Sequence, residues 1–333
     1  MTSVGLVLGG GGLAGFAYHT ACLAVLQRLT GWDPRTAQIM VGTSAGSGVA
    51  ATLRGGVGAD ASLDRMLSVP TNPRSMARLR ELSGREQARG RLSQVGFLPV
   101  APGLAAREAL KGPFIRPVRF ATALLPPGRV RTDTIGDRPA ELHQGVWPDE
   151  PLWITAVRLS DGELVVFGRD RADISVAAAT EASSAIPAFF RPVMIDGDRY
   201  VDGGVHSCSN ADLLVDEDVD LVVIISPMSG RSLSAMTRSI NGPLRIAIKH
   251  RLNKEVQQLR EAGKELLILE PSLEEMRAMG ATFMDPTRVL NTVLQTSSAA
   301  RTALTENAVG EQLDLLRKAA LEHPSPVDVE YPE

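Results

Sequence analysis

The sequence predicts a three-layer α/β/α fold, in which helices cover both faces of a central, mostly parallel β-sheet. Short apolar runs alternate with stretches of helical periodicity, and the run Leu221–Ile225 has the composition of a fully buried central strand. The chain has 333 residues, enough for one large α/β domain or about two smaller ones. Hydrophobic residues make up 44% and charged residues 22%, which excludes disordered, collagen-like and coiled-coil classes.

The first two strand-helix units each contain a glycine-rich turn. The apolar run Val4–Leu8 ends in four glycines, and helical periodicity follows over residues 16–29. A second run over residues 39–41 ends at Gly42-Thr43-Ser44-Ala45-Gly46 and is followed by an Ala/Val-rich helix. Because chemistry in parallel sheets gathers at loops beyond the carboxyl ends of strands, both turns are candidate site loops.

Residues 71–150 are rich in proline and arginine and predict an insertion of short helices and loops. Between residues 71 and 131, twelve basic residues stand against three acidic ones, a net charge of +9, whereas the rest of the chain sums to -12. This asymmetry predicts orientation toward an anionic surface, with a solvated basic face as the alternative. The basic residues are Arg74, Arg78, Arg80, Arg85, Arg89, Arg91, Arg107, Lys111, Arg116, Arg119, Arg129 and Arg131.

Strands and helices resume after the insertion. We expect one domain over residues 1–323, with a C-terminal helical part at about 240–320 and a flexible tail over 324–333. The predicted elements are a hairpin of 152–157 and 163–167, a helix at 174–185, a strand end at 200–201, the central strand Leu221–Ile225, a helix at 245–262, a strand at 266–269, and helices at 286–304 and 311–320.

Composition also limits the classes of partner. The net charge is -3 and the isoelectric point about 6.0, so a nucleic-acid partner is not expected. Cys22 and Cys208, the only cysteines, lack the spacing of a metal site, and we expect neither metal nor cofactor. The N-terminus does not read as a signal peptide, and no apolar run approaches the roughly 18 residues that span a bilayer. These features predict a soluble, cytoplasmic protein.

The sequence Gly42-Thr43-Ser44-Ala45-Gly46 matches GxSxG and lies between a strand and a helix, as a nucleophile turn requires. Such a turn holds the serine in a strained conformation with its hydroxyl exposed, while Gly42 and Gly46 let strand and helix approach closely. An ordinary Gly/Ser-rich helix start is the alternative. We predict Ser44 as the nucleophile.

A serine that attacks an ester creates an oxyanion, which needs nearby backbone N–H donors. The glycine run Gly9-Gly10-Gly11-Gly12 can supply them, and the helix that follows adds the positive end of its dipole. The competing hypothesis is a dinucleotide or phosphate site, since Gly10, Gly12 and Gly15 also fit GxGxxG. That site needs an acidic residue ending a second strand, and the candidate, Asp33, follows no strand.

The base that activates Ser44 is less obvious. The histidines are His19, His143, His206, His250 and His323. Asp202 followed by His250 or His323 would satisfy the Ser-Asp-His order of an α/β-hydrolase, but neither of these two lies in a glycine turn after a strand. We expect His19 to be structural and His206 to be the best auxiliary. Asp202 follows the strand end at 200–201, and Gly203 and Gly204 would let its carboxylate turn into a cleft, although a plain turn is equally compatible.

Taken in order, these pieces resemble the patatin-like phospholipase family. LGGGGLAG resembles its oxyanion loop, GTSAG its nucleophile turn and DGG its aspartate motif. EASSAIPAFFRPV at 181–193 and PLWITAVRLSDGELVVFGR at 151–169 are similar to further family segments. The resemblance covers about residues 4–215, with weaker similarity at 245–263.

The resemblance implies a serine lipid acyl hydrolase with a Ser-Asp dyad, without a catalytic histidine, metal or cofactor. Ser44 would be the nucleophile, Asp202 the general base, and the amides around Gly10, Gly11 and Gly12 the oxyanion hole. The substrate would be an acyl lipid. The basic insertion would form a lid and make peripheral contact with anionic membranes. An acyltransferase using the same dyad stays open, as does the oligomeric state.

Two departures from the family pattern affect the glycine loop and the aspartate motif. Ala14 stands where many members have Arg or Lys. After Gly204 the chain continues Val205-His206-Ser207-Cys208-Ser209-Asn210, where many members continue toward Asn and Pro.

A base works best when burial beside an apolar cleft raises the pKa of its carboxyl, so we expect a raised pKa for Asp202.

Overall fold

The computed structural model describes residues 1–68, 99–110, 117–306 and 309–327, with side chains omitted at 117–120 and 306. Within these ranges eight strands form one sheet. The strands are β1 (Val4–Leu8), β2 (Ile39–Thr43), β3 (Leu152–Arg158), β4 (Leu164–Phe167), β5 (Val193–Ile195), β6 (Asp198–Asp202), β7 (Leu221–Ile225) and β8 (Glu265–Leu269).

The predicted helices are present, although the first begins at Gly12, inside the glycine run, and the helices Ala59–Ser68, Leu233–Thr237 and Leu273–Met279 were not predicted. They are α1 (Gly12–Thr30), α2 (Ala45–Arg54), α3 (Ala59–Ser68), α4 (Pro102–Ala109), α5 (Pro117–Leu124), α6 (Asp133–His143), α7 (Val176–Ser183), α8 (Leu233–Thr237), α9 (Gly242–Glu261), α10 (Leu273–Met279), α11 (Val289–Glu306) and α12 (Gly310–Glu322).

The sheet is mostly parallel and covered on both faces, as predicted. Its order is β5-β6-β3-β2-β1-β7-β8, and β2, β3, β7 and β8 each run parallel to their neighbours nearer β1. Side chains alternate between the faces: Leu6 and Leu8 pack toward α1, α2 and α11, whereas Val7 packs toward α9. This burial leaves the loops at the carboxyl edge as the place for a site.

Strands β2 and β6 meet end to end beside β3. Because β4 pairs along one side of β3, both β2 and β6 lie along the other side. The parallel strand β2 ends with Thr43 opposite Thr155, and the antiparallel strand β6 ends with Asp202 opposite Ala156. Ser44 follows Thr43 directly, so two strands of opposite direction bring Ser44 and Asp202 to the same point.

The hairpin of β3 and β4 was predicted, but the hairpin of β5 and β6 was not. Its turn is Asp196-Gly197, with φ of 49° and 85°, which is the backbone that a two-residue Asp-Gly turn requires. The Asp-Gly pair was the available signal. This hairpin gives β6 the direction that points Asp202 toward β2.

The predicted insertion is described in part. Helices α4 and α5 pack on Val201 and Val205, around the aspartate motif, and α6 packs on α7 and α2. The helices are short, as expected of a proline-rich segment. Most of the basic side chains lie outside the described residues, so the lid and its membrane contact stay predictions; they are Arg74, Arg78, Arg80, Arg85, Arg89, Arg91, Lys111, Arg116 and Arg119.

The described part of the predicted tail contacts the body of the fold. The buried guanidinium of Arg35 donates to the carbonyl of Pro326, at 2.9 Å, and to that of Val327, at 3.4 Å. Residues 328–333 lie outside the described residues, and the flexible tail stays a prediction. In the part of the chain that the structure describes, no helix is long and apolar enough to cross a membrane.

Arg35 also supplies a test of the fold, because its guanidinium forms a buried ion pair with Asp33, Nη2 to Oδ2 at 2.7 Å. Arg35→Met leaves the Asp33 carboxylate buried without this cation, and we expect a loss of about 3–5 kcal/mol in the free energy of unfolding. Urea denaturation measures it. Arg317→Met, which breaks an exposed pair with Asp314, should cost less than about 1 kcal/mol. Equal losses in the two variants would contradict the prediction.

Candidate active site

Ser44 occupies the sharp turn between β2 and α2. Its φ of 53° and ψ of -121° are strained for a residue with a side chain, as predicted for a nucleophile turn. A Cβ on Gly46 would lie 1.9 Å from the carbonyl oxygen of Leu8, so α2 crosses β1 at a distance that only glycine permits. The expected exposed hydroxyl is not seen, since Ser44 is buried with 5% of its surface accessible.

The backbone of Ser44 is held on both sides by serine hydroxyls. Its N–H donates to Oγ of Ser183 at 2.9 Å, and its carbonyl accepts from the N–H of Ser47 at 2.9 Å and from the Ser47 hydroxyl at 2.6 Å. Sequence reasoning assigned no role to Ser183, although it lies in the 181–193 segment. These bonds fix the strained turn from outside it.

Asp202, at the end of β6, is also buried. The N–H of Gly204 donates to its Oδ1 at 2.7 Å, and the side chain of Ser44 lies near the carboxylate. Burial raises the pKa of Asp202 from 3.8 to about 6, although the nearby Ser44 side chain and the Gly204 N–H favour the charged form and act to lower it. A Cβ on Gly203 would lie 2.3 Å from Oγ1 of Thr155, so this turn packs tightly on β3.

The glycine loop borders Ser44, but its amides are not equivalent. A Cβ on Gly10 would lie 3.4 Å from Cβ of Ser44. The N–H of Gly10 donates to the carbonyl of Cys208 at 2.8 Å, so this amide, predicted as an oxyanion donor, is already occupied. The N–H groups of Gly11 and Gly12 have no acceptor among the described residues, at the start of α1. The candidate donors therefore narrow to Gly11 and Gly12.

A segment distant in sequence covers the glycine loop. The N–H of Ala14 donates to the carbonyl of Phe283 at 3.0 Å, and a Cβ on Gly12 would lie 2.8 Å from Sδ of Met284. The guanidinium of Arg245 lies over the Phe283 ring, 5.4 Å from its centroid. No pattern in the sequence connects these residues to the glycine motif at Gly15, which itself packs against Ala45.

Asn210 joins the end of β2 to β3 and to the loop after Asp202 by hydrogen bonds. Its Nδ2 donates to Oγ1 of Thr43 at 2.9 Å and to the carbonyl of Ser207 at 2.6 Å, and lies 3.3 Å from Oγ1 of Thr155. Its Oδ1 lies 2.9 Å from Nδ1 of His206. Sequence reasoning quoted Asn210 only as a departure from the family pattern and therefore missed this role.

The histidines have structural contacts. His19 is fully buried, its Nε2 lies 2.7 Å from the carbonyl oxygen of Gly9, and burial lowers its pKa to about 4. It therefore holds the glycine loop as a neutral ring, as expected. Nε2 of His143 lies 2.8 Å from the carbonyl oxygen of Ala51, on α2. His206 reaches the site through Asn210.

The requirement for a dinucleotide site is not met at Asp33. Its carboxylate is buried in the ion pair with Arg35 and accepts the N–H of Arg35 at the start of a 3-10 turn. It is thus not free at a strand end to bind a ribose. In the described ranges no cluster of three or more metal-ligating side chains occurs.

The burial of Asp202 predicts a pH-dependent gain in stability for Asp202→Asn. The folded-state pKa of about 6 exceeds the unfolded value of 3.8, so the stability that the carboxyl contributes is complete below 3.8 and is lost as pH rises through about 6. An asparagine side chain does not ionise, so the variant does not lose this stability as pH rises. We expect Asp202→Asn to raise the free energy of unfolding by up to about 3 kcal/mol at about pH 8 and by little at about pH 4. Urea denaturation measures the difference.

Asp218→Asn, at an exposed carboxyl, is the matched control. It should give a small change that is the same at both pH values. A gain for Asp202→Asn that is equally large at low pH would contradict the assignment to the buried charge.

The bonds of Asn210 predict a large effect of removing its side chain. Because glycine adopts the φ of 52° of Asn210 without strain, Asn210→Gly removes the hydrogen bonds and little else. We expect a loss of about 2–4 kcal/mol in the free energy of unfolding, measured with urea. Gln144→Gly, at an exposed residue with φ of 49°, should change stability by less than about 1 kcal/mol. A small loss at Asn210 would show that the network contributes little.

Comparison with known proteins agrees with the motifs. The profile of a family described as patatin-like phospholipase matches residues 6–215. Among solved structures, the chain is similar to VipD from Legionella pneumophila, with 14% identity, a TM-score of 0.37 and coverage of 90% of this chain and 67% of VipD. It is also similar to the type III effector protein ExoU, with 18% identity, a TM-score of 0.33 and coverage of 96% and 63%.

No curated protein matches the chain. The family profile extends over more than half of the sequence and includes the glycine loop from Leu8, the turn at Ser44 and the motif at Asp202. The chain therefore belongs to the patatin-like phospholipase family.

Proposed function

We propose that the protein is a serine lipid acyl hydrolase that cleaves carboxylic ester bonds of phospholipids or related acyl lipids through Ser44 and Asp202. Family membership supports lipid acyl hydrolase activity in general. The observation that carries the specific proposal is the placement of the Ser44 side chain beside the buried carboxylate of Asp202, where β2 and β6 end next to each other. A carboxyl with a pKa near 6 is largely ionised at neutral pH and is still basic enough to accept a proton.

In the acylation step, Oγ of Ser44 forms a bond to the ester carbonyl carbon, and its proton passes to the carboxylate of Asp202. The tetrahedral intermediate then collapses. The bond to the leaving alcohol breaks, and the alcohol takes the proton from Asp202. The product of this step is an acyl ester of Ser44, and Asp202 is again a carboxylate.

The charge on the tetrahedral oxygen requires donors that are already oriented. The unoccupied N–H groups of Gly11 and Gly12 lie at the start of α1, where the helix dipole also favours negative charge. The ring of His19 stabilises this loop through the contact of its Nε2 with the Gly9 carbonyl. These amides would stabilise the oxyanion in both halves of the reaction.

In deacylation, water replaces the alcohol and gives a proton to Asp202 as its oxygen attacks the acyl carbon. Collapse releases the fatty acid and returns the proton to Oγ of Ser44. The same carboxyl therefore acts first as base and then as acid in each half-reaction. A carboxyl with an ordinary, lower pKa would be a poorer proton acceptor in the first of these roles.

Labelling with a fluorophosphonate and hydrolysis of a p-nitrophenyl ester test the proposal. The wild-type chain should label and turn over, Ser44→Ala should do neither, and Asp202→Asn should lose at least about a hundredfold in kcat/KM. Because the base must be ionised, kcat/KM should rise with pH through about 6 and then level off.

Ser298→Ala, at an exposed serine of α11, is the control and should label like wild type. Labelling that survives in Ser44→Ala, or a folded wild type that neither labels nor hydrolyses esters in the presence of anionic vesicles, would contradict the proposal.

A further inference from the structure

Three large apolar side chains are exposed on the segment that follows β7. Leu233 on α8, Ile240 in the turn after it and Leu244 on α9 have exposed fractions of 62%, 75% and 49%. We call these three residues the apolar patch. Exposed apolar side chains are common singly, but three within twelve residues of one segment are a candidate contact surface for a partner.

The apolar patch lies at the catalytic edge of the sheet. Strand β7 runs parallel to β1, so the segment after β7 begins beside the glycine loop after β1. A Cβ on Gly11 would lie 3.1 Å from Cβ of Pro227, the second residue after β7. Next to Leu244, the buried guanidinium of Arg245 donates to the carbonyls of Pro227, at 2.8 Å, and Ser229, at 2.7 Å. Hydrogen bonds of Arg245 thus connect the start of α9, next to Leu244, to the residues after β7 that contact the glycine loop.

The neighbouring cover of the glycine loop is attached to the same segment. Nδ2 of Asn241 donates to the carbonyl of Ala281 at 3.0 Å, shortly before Phe283 and Met284, which lie against the loop at Gly12. A surface that approaches Ile240 therefore also approaches the residues over the oxyanion donors.

The segment that carries the apolar patch is basic. From residue 221 to residue 254 the sequence contains no Asp or Glu, and the acidic partners of its cations come from other segments. Lys249 and Arg251 form ion pairs with Glu270 and Asp212, whereas Arg238, two residues before Ile240, is exposed and forms no ion pair with the described residues. The surroundings of the patch therefore match an anionic partner better than a neutral one.

We propose that the apolar patch docks on the surface of an anionic lipid bilayer, with the carboxyl edge of the sheet, where Ser44 lies, facing that surface. The proposal rests on the proposed function, because lipid substrates reside in such a surface. Leucine and isoleucine side chains would enter the boundary of headgroups and acyl chains, and Arg238 would lie at the phosphates. A second copy of the chain fits less well, since a two-fold pairing of the patch would bring the Arg238 cations of both copies together.

Vesicle binding tests the proposal, in a Ser44→Ala background so that lipid is not hydrolysed. The chain is sedimented with vesicles of phosphatidylcholine alone or mixed equally with phosphatidylglycerol. Partitioning should be stronger on the mixed vesicles and should weaken as salt is raised. Substituting all three patch residues, Leu233→Ser, Ile240→Ser and Leu244→Ser, should weaken it at least about tenfold.

The matched control is Leu321→Ser. Leu321 is 89% exposed, and its neighbour Glu322 accepts the N–H of Thr2, just before β1, so it lies toward the opposite edge of the sheet. This variant should bind vesicles like its parent. Equal losses in the control and the patch variant, or no loss in the patch variant, would overturn the proposal.

A tryptophan reporter keeps the test independent of the stability of the triple variant. Ile240→Trp should show a blue-shifted emission on mixed vesicles, because its indole leaves water, and Leu321→Trp should show no shift. An unshifted Ile240→Trp on vesicles that the chain binds would overturn the proposal.

Failure of docking can be distinguished from failure of the proposed function. If fluorophosphonate labelling fails but vesicle binding depends on the patch, the docking proposal stands and the hydrolase proposal falls. If soluble esters are cleaved but the patch substitutions leave vesicle binding unchanged, the hydrolase proposal stands and the docking proposal falls. A parent that sediments as a dimer, with a monomeric patch variant and unchanged vesicle binding, would assign the patch to self-association and overturn the proposal.

Discussion

The candidate site depends on one constraint of the sheet: β2 and β6 share one side of β3 and approach each other from opposite directions. The residue after one strand and the last residue of the other are then neighbours in space. No loop has to carry Ser44 toward Asp202, because hydrogen bonds of the sheet position both. Sites built on such regular elements are held more precisely than sites on mobile loops.

Placing two polar residues at a buried junction has a cost, and the surrounding groups offset it. The N–H of Ser44 is satisfied by Ser183, the N–H of Asp202 donates to the carbonyl of Ala185, and Asn210 ties Thr43 to the loop after Asp202. What is not offset is the charge of Asp202, whose carboxylate has no cation bonded to it among the described residues. That uncompensated burial keeps the pKa of the carboxyl high enough for proton transfer.

Much of the fold could be predicted, because strand and helix periodicity and glycine turns are local signals. The strands β1, β2 and β7 and the turn at Ser44 belong to this group. What could not be predicted depends on contacts between distant segments. The occupied amide of Gly10 follows from the position of the Cys208 carbonyl, and the burial of Ser44 and the cover of Gly12 by Met284 follow from packing. The role of Asn210 could not be predicted either, since its hydrogen-bond partners lie in three separate parts of the chain.

The close contact between Gly46 and Leu8 distinguishes two parts of the candidate site, the turn at Ser44 and the segments around it. Because α2 lies directly on β1, Ser44 and the strand that leads into the glycine loop are packed against each other. The walls come from elsewhere in the chain: α4 and α5 beside the aspartate motif, and Phe283 and Met284 over the glycine loop. Under the proposed function, changes in these outer segments would alter which lipid fits without moving Ser44 or Asp202.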